Sequence, residues 1–335
     1  MNGIRSTLVV ARDAVRAGVG YVNFRRTGAT TRSAELGLRG VFTYDPRLPS
    51  RVSRLAHRSR ADYVRPTSGL LGNLDRVDVA ETAAALDRDG CYRFQRLLPE
   101  DMVRELDELS AELAATPRST PASDTESNRA DAARLRSTRY DYAPQQLMQN
   151  QLVQRVAFDP SFAAIADAYL RCDAALAGVA MWRSVPFGDE PSSAAAQLFH
   201  ADRDYPQFLK IFIYLTDVTP ESGPHVYVRT SHCHRPRPLR RDVRFHDDEV
   251  RASYRDEIEE LCGSAGTILA ADTRGLHKGK APEHGERLIL QLQFASSFFG
   301  TNAPEIILRN SEAAVEARLR SEPARYRRFR LDRGQ

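Results

Sequence analysis

Hydrophobic and polar positions keep a weak rhythm over the first 75 residues, a helical one to about residue 171, and a strand-like one beyond. The opening MNGIRSTLVVARDAVRAGVGYVNFRR has apolar residues broken by Arg5, Arg12, Asp13 and Arg16. It predicts a helix packed on the domain or a frayed end; a basic amphipathic helix on an anionic membrane is the less favoured alternative. RRTGATTRSAELGLRG and RLPSRVSRLAHRSRADYVRPTSG are rich in Arg, Ser and Gly and predict loops wrapped on the main domain. From Val77 the spacing turns helical, and VDVAETAAALDRDG stops at Gly90, a residue suited to closing a helix. CYRFQRLL predicts an edge strand. PEDMVRELDELSAELAAT, with Met102, Val103, Leu106, Leu109 and Leu113 in register, predicts a further helix. The polar stretch 117–137 has the length of a lid-like loop. Helical spacing returns near 144–158 and 160–171, with Pro160 starting the second.

After residue 175 the chain becomes a succession of short strands: ALAGVAMWRSVP, AAQLFHAD, FLKIFIYLTDV, HVYVRTSH, GTILAAD and RLILQLQFAS. Turn residues separate them. One helical insert, HDDEVRASYRDEIEELCG, is expected among them. Many short strands after a run of helices predict a sandwich or barrel, mainly β with flanking helices. The organisation is an N-terminal extension over 1–75, a main domain over 76–310 and a basic C-terminal tail over 311–335.

Composition narrows the class. Hydrophobic residues make up 42% and charged residues 27% of the 335, which suits a soluble globular chain. The net charge of +4, from 48 basic and 44 acidic residues, is too small an excess to imply nucleic acid. Cys91, Cys172, Cys233 and Cys262 form no CxxC pair, so a thiolate zinc site or a disulfide framework is not expected and a cytoplasmic location fits. No run reaches the roughly 18–20 apolar residues of a membrane span.

Candidate chemistry centres on QLFHADRDY. In an extended strand His200 and Asp202, two apart, point the same way. A lone HxD is more often a solvent-facing or turn-capping pair than a metal site. The balance shifts with GTILAADTRGLHKGKAPEHGERLILQLQF, where His277 follows a strand and Arg287 begins another ten residues on. Two histidines and one carboxylate on one metal leave open positions, the donor set of non-haem Fe(II) oxygenases. Arg287 is placed to pair in bidentate fashion with a carboxylate of a bound ligand.

Together, QLFHADRDYPQFLKIFIYLTDVTPESGP, VRTSH and HKGKAPEHGER resemble the phytanoyl-CoA dioxygenase family, and LDRDGCYRFQRLLPEDMVRELDEL resembles its entry segment. The resemblance spans about residues 80 to 300. It implies a double-stranded β-helix (jelly roll, cupin-like) core. It also implies an Fe(II)- and 2-oxoglutarate-dependent dioxygenase, with O2 as co-substrate and succinate and CO2 released. Carried over by position, His200, Asp202 and His277 would bind Fe(II), and Arg287 would hold the distal carboxylate of 2-oxoglutarate. Phe199 stands where relatives often have Trp, and Arg229-Thr230-Ser231-His232 replaces the usual Pro-Gly-Ser-His. Halogenating relatives put a small residue in place of the carboxylate, so Asp202 argues against halogenation.

The implied reaction is hydroxylation of an unactivated C–H in a small molecule, anionic in one reading of the arginine-rich segment. Desaturation, epimerisation and ring closure use the same cofactors, and a catalytically silent jelly-roll binder is the alternative of another class. Weaker pocket candidates are Trp182, Gln197, Lys210 and Thr230. Trp182 suits a pocket mouth or plain core packing, Gln197 falls on the face opposite His200 unless a bulge intervenes, and Lys210 meets a carboxylate or reaches solvent. RTSHCHRPRPLRRDVRFH, with Arg229, Arg235, Arg237, Arg240, Arg241 and Arg244, is either a basic rim over the site or a solvated loop. It lacks the interleaved aromatics of a nucleic-acid binder. His225, His232, His234 and His246 are expected at turns or on the surface, and Cys233 and Cys262 to be inert. Membrane association is not expected, and oligomeric state is left open.

Overall fold

A computed structural model describes residues 2–56, 63–118, 137–188 and 190–332. The lid-like stretch expected at 117–137 lies, from 119 to 136, outside the described residues. The helices are α1 (Asn2–Thr27), α2 (Arg32–Tyr44), α3 (Leu48–Ala56), α4 (Arg76–Asp89), α5 (Glu100–Glu112), α6 (Pro144–Leu147), α7 (Gln151–Ala157), α8 (Pro160–Leu170), α9 (Asp247–Arg251) and α10 (Ala313–Ser321). The strands of the N-terminal half are β1 (Thr67–Gly69), β2 (Gly72–Leu74), β3 (Cys91–Arg93), β4 (Ala115–Pro117), β5 (Arg139–Tyr142) and β6 (Ala175–Ser184). Then come β7 (Phe208–Tyr214), β8 (His225–Val228), β9 (Ile258–Leu261), β10 (Ile268–Ala271), β11 (His277–Gly279), β12 (Arg287–Ala295), β13 (Ile306–Leu308) and β14 (Phe329–Leu331).

Seven strands form an antiparallel sheet in the order β3-β10-β7-β12-β6-β5-β4, and β11-β8-β9 form a smaller one. The crossovers between non-consecutive strands and the two facing sheets are those of a jelly roll, the double-stranded β-helix expected. Alternation along β7 divides its environment. Leu209, Ile211 and Ile213 join the core under the helices, whereas Phe212 and Tyr214 face the small sheet with Trp182, Tyr227 and Ile289. The register of β12 follows suit: Leu288, Leu290 and Leu292 lie in the helix-side core, while Arg287, Ile289 and Gln291 line a cavity between the sheets.

The helical layer forms for local reasons. Asp75 and Asp78 make a reciprocal capping box at the start of α4, and Gly90 ends it with φ of 83°. Asp159 caps α8, whose first residue is Pro160. The helix is apolar almost all round and is buried against β7, β12 and α4. Among the described residues no helix is long and apolar enough to cross a membrane.

Several expectations are overturned. The supposed loops before residue 57 are helices: α1 and α2 form a hairpin in which a Cβ on Gly37 would come 2.6 Å from the Asp13 carbonyl oxygen. Glycine there permits close helix packing rather than a turn. The insert expected as one helix is helical only over α9, and Ile258–Leu261 instead pairs with β8. Tertiary pairing overrides local propensity there. AAQLFHAD is not a strand; only Phe199 and His200 form bridges, to Phe245 and His277. Ala196, at φ of 62°, turns the chain just before them. The segment read as a basic tail forms α10 and β14. Its Arg325 is buried in an ion pair with Asp167, Nη1 to Oδ1 2.8 Å.

Candidate active site

The two histidines are neighbours across strands. His200 N donates to the His277 carbonyl oxygen at 2.9 Å, and His277 N returns the bond at 2.9 Å. This antiparallel bridge puts the ring centroids 4.2 Å apart. Asp202, two residues on, is held by its own N–H donating to the Thr273 carbonyl oxygen at 2.8 Å. His200 Nε2 lies 3.7 Å from Asp202 Oδ1, and His277 Nε2 lies 3.5 Å from Asp202 Oδ2. One donor atom from each of the three can be chosen so that all lie within 4.8 Å of one another.

The imidazoles are oriented for this. His200 Nδ1 donates to the Leu198 carbonyl oxygen at 2.9 Å, and His277 Nδ1 to that of Gly275 at 3.0 Å. A carbonyl only accepts, so each Nδ1 carries the proton and each Nε2 offers a lone pair to the centre. Burial holds His200 down to about 4, with Asp202 opposing. His277 lies well below the usual histidine range through burial and the neighbouring His200. Both are therefore neutral donors near pH 7. Burial pushes Asp202 up, but Lys210, His277 and His200 outweigh it and keep the carboxyl well below its usual range. Lys210 comes from the inward face of β7 and donates through Nζ to Asp202 Oδ2 at 2.7 Å, with Asp204 Oδ2 at 3.4 Å.

Arg287, at the start of β12, projects into the same cavity. It donates to the Gly223 carbonyl oxygen and weakly, at 3.4 Å, to Ser184 Oγ. Its Nε is buried without a partner, and no carboxylate pairs with it among the described residues. Burial lowers it to about 10, with Tyr214 opposing and Arg139 adding. A buried guanidinium with no counter-charge is costly, and a bound carboxylate would relieve it. His225 Nε2 is a second orphan on the cavity wall. Burial, reinforced by Arg287, lowers that imidazole to about 3. The cavity is about 420 Å³. Its donor set of two neutral imidazoles and a carboxylate suits Fe(II), and the orphaned Arg287 and His225 atoms suit a dicarboxylate beside it.

The other expected residues divide. Trp182 lies in the cavity wall under the Arg139 guanidinium, 4.3 Å from its ring centroid. Lys210 meets a carboxylate rather than solvent. Gln197 does not line the cavity; its amide bridges Thr138 Oγ1 (2.7 Å) and the Ser192 N–H (2.6 Å), clamping the loop before His200. Thr230 is also outside, because the chain turns away at φ of 65° after β8 and its N–H bonds to the Asp89 carbonyl oxygen. Of the histidines expected at turns or on the surface, His234 and His246 are exposed. His225 instead sits in β8 and His232 is buried against the Asp87 carbonyl oxygen. The expected arginine rim shrinks to Arg244. Arg235 is buried on backbone carbonyls of Ser231 and Arg274, and Arg241 pairs with Glu249.

Sequence reasoning missed Arg118, Arg139 and His225, all in the cavity wall. The alternation in RYDY, where Tyr140 and Tyr142 are buried and Arg139 and Asp141 share the other face, is the signal that could have found Arg139.

The family description "Phytanoyl-CoA dioxygenase" matches residues 86–283, more than half of the chain and including all three candidate metal ligands. The chain belongs to the phytanoyl-CoA dioxygenase family. As a member it is a non-haem iron oxygenase that uses Fe(II), 2-oxoglutarate and O2. Arg287 falls just beyond the matched span. No curated protein matches the chain. Among solved structures it is similar to the epimerase SnoN from nogalamycin biosynthesis, 18% identical over 66% of this chain and 81% of that one, with a TM-score of 0.46. It is similar to the carbocyclase SnoK from the same biosynthesis, 18% identical over 68% and 86%, with a TM-score of 0.49. It is likewise similar to EctD from S. alaskensis, solved with 2-oxoglutarate and 5-hydroxyectoine, 21% identical over 71% and 84%, with a TM-score of 0.49. Likeness at this level identifies neither a substrate nor an outcome for this phytanoyl-CoA dioxygenase relative.

Proposed function

We propose that this enzyme hydroxylates an unactivated C–H of a small molecule, with His200, Asp202 and His277 as the Fe(II) ligands and Arg287 as the anchor for the distal carboxylate of 2-oxoglutarate. The observation that carries the reading is the pairing of two features in one cavity: a neutral His/Asp/His cluster and a buried guanidinium without a counter-charge. When bound, Fe(II) with 2-oxoglutarate and O2 supplies the oxidising power and yields succinate and CO2.

The protein's own residues orient and shield. The Nδ1 bonds to Leu198 and Gly275 hold both rings so that each Nε2 faces the centre. Lys210 occupies Asp202 Oδ2, which favours Oδ1 as the metal-binding oxygen. Phe212, Trp182 and Ile289 line the cavity with apolar surface and limit water around the reacting carbon. Asp202 fills the carboxylate position, which argues against halogenation. Desaturation, epimerisation and ring closure would use the same residues. A silent binder would gain nothing from an unpaired buried arginine facing three preoriented donors. The four free cysteines fit a cytoplasmic setting.

The test is anaerobic titration with Fe(II) and 2-oxoglutarate, followed by O2 and a succinate assay. A visible charge-transfer band and succinate formation are expected. Absence of both would sink the oxygenase reading.

A further inference from the structure

The cavity carries more positive charge than its cofactors use. Among the described residues five basic side chains line it, Arg118, Arg139, Lys210, Arg244 and Arg287, against the three acids Asp141, Asp202 and Asp204. On the reading above, the two charges of Fe(II) and those of the 2-oxoglutarate dianion cancel. Lys210 balances one of the two aspartates it touches, and Arg287 balances the other in the count. The surplus therefore falls to Arg118, Arg139 and Arg244, of which the first two share the carboxylate of Asp141.

That group is built, not scattered. Arg139 donates to Asp141 Oδ1 through Nε (2.9 Å) and Nη2 (2.7 Å), while Arg118 Nη1 reaches Oδ2 at 3.0 Å. Arg139 is only 14% exposed and lies over the Trp182 ring. Arg244 has no ion pair among the described residues, although its neighbours Arg240 and Arg241 are both engaged. Its place is set by the next residue: Phe245 and Phe199 exchange backbone hydrogen bonds of 2.8 and 3.0 Å, which ties the arginine to the segment leading into His200. Trp182, Phe212 and Ile289 contribute apolar surface to the same cavity.

We propose that Arg244, with Arg118 and Arg139, forms a substrate-anion site, so that the substrate class is a carboxylate or phosphate monoester with an apolar body reaching toward the metal cluster. This rests on the oxygenase reading, because the charge balance assumes bound Fe(II) and 2-oxoglutarate. A positive surplus in a low-dielectric cleft selects an anion by affinity and by steering. The apolar side chains of Trp182, Phe212 and Ile289 offer surface for the body of such a substrate.

The test uses anaerobic protein saturated with Fe(II) and 2-oxoglutarate, titrated calorimetrically with hexanoate, hexyl phosphate, hexanol and hexyltrimethylammonium. Binding of hexanoate or hexyl phosphate, at least about tenfold tighter than that of hexanol and of the cation, is expected. The better anion distinguishes a carboxylate from a phosphate. Arg244→Gln and Arg118→Gln, both at solvent-accessible positions, should each weaken that anion about tenfold, with the affinity for 2-oxoglutarate measured alongside as the reading of Arg287. Failure of both anions to bind overturns the proposal, as does equal binding of hexanol or an unchanged anion affinity in both variants. An equal fall in 2-oxoglutarate affinity also overturns it, since the substitution would then disturb the whole site. The oxygenase reading fails on a separate signal, the missing charge-transfer band before any anion is added, and takes this proposal with it.

Discussion

Removing Arg287 and removing Asp202 should have opposite structural costs. Arg287 is a buried cation with no carboxylate partner among the described residues, held by the Gly223 carbonyl and Ser184. Arg287→Gln removes a desolvated charge, so the melting temperature of the protein without 2-oxoglutarate is expected to hold or rise. Its 2-oxoglutarate dissociation constant should rise about thirtyfold or more, the cost of losing one side of a buried charge pair. A lowered melting temperature with unchanged affinity would mark Arg287 as structural. Asp202→Gly instead strips Lys210 of its nearer carboxylate, leaving Asp204 at 3.4 Å. Metal analysis after anaerobic Fe(II) loading should find no stoichiometric iron, and succinate formation should stop. At this scale His200, Asp202, His277 and Arg287 stood out through the HxD spacing and the resemblance to a known family, and all four line the one cavity. Arg139 shows only in the alternation of RYDY, while His225 and Arg118 were not legible, because they reach the cavity through sheet register rather than a local pattern.

The strands place those side chains with little room to spare. Gly279 ends β11, and a Cβ there would come 2.7 Å from Arg287 Nη2. The clash meets the end of a flexible side chain rather than backbone. Gly279→Ala is therefore expected to push the guanidinium aside, weakening 2-oxoglutarate several-fold while costing about 1 kcal/mol or less in urea denaturation. A loss of stability with unchanged co-substrate affinity would refute that route. The strand rhythm after residue 175 was visible in the sequence because turn residues separate short apolar runs, and in β7 and β12 one face meets the helical core while the other turns to the cavity. The extended segment at His200 was harder to judge: it pairs at only two residues, and its geometry comes from bridges to Phe245 and His277, far along the chain. The α1–α2 hairpin was hidden for a different reason. Gly20 and Gly37 look like loop residues, yet both lie where two helix backbones approach each other, at Ala34 and at Asp13 and Ala17.

At the scale of the whole molecule, stability is expected to depend on protonation, and the candidate metal site on the N-terminal hairpin. His225 and His200 titrate at about 3 and about 4 in the folded state, against roughly 6.5 unfolded. Between those values the unfolded chain binds protons that the native one refuses. The stability of metal-free protein should thus be full above about pH 6.5 and fall as pH drops, by about 1.4 kcal/mol per pH unit for each such histidine. Urea denaturation from pH 7 to 4.5 checks the slope, and His225→Phe should remove one histidine's share; an unaltered slope would contradict the assignment. The hairpin acts through Arg203, which follows Asp202 directly and is almost fully buried. Its guanidinium donates to the Arg39 carbonyl oxygen at 3.2 Å and to Thr43 Oγ1, near the C-terminal end of α2, and to the Arg240 carbonyl oxygen at 2.9 Å. A cation near the C-terminal end of α2 complements the helix dipole. The same side chain ties α2 and the arginine-rich loop to the segment carrying His200 and Asp202. Arg203→Ala is therefore expected to lower stability by about 2–3 kcal/mol and to weaken anaerobic Fe(II) binding several-fold, although Arg203 is not among the candidate metal ligands. Iron affinity equal to that of the unaltered protein, measured under conditions where the variant is still fully folded, would show that the hairpin merely covers the jelly roll and does not hold the ligand segment in place.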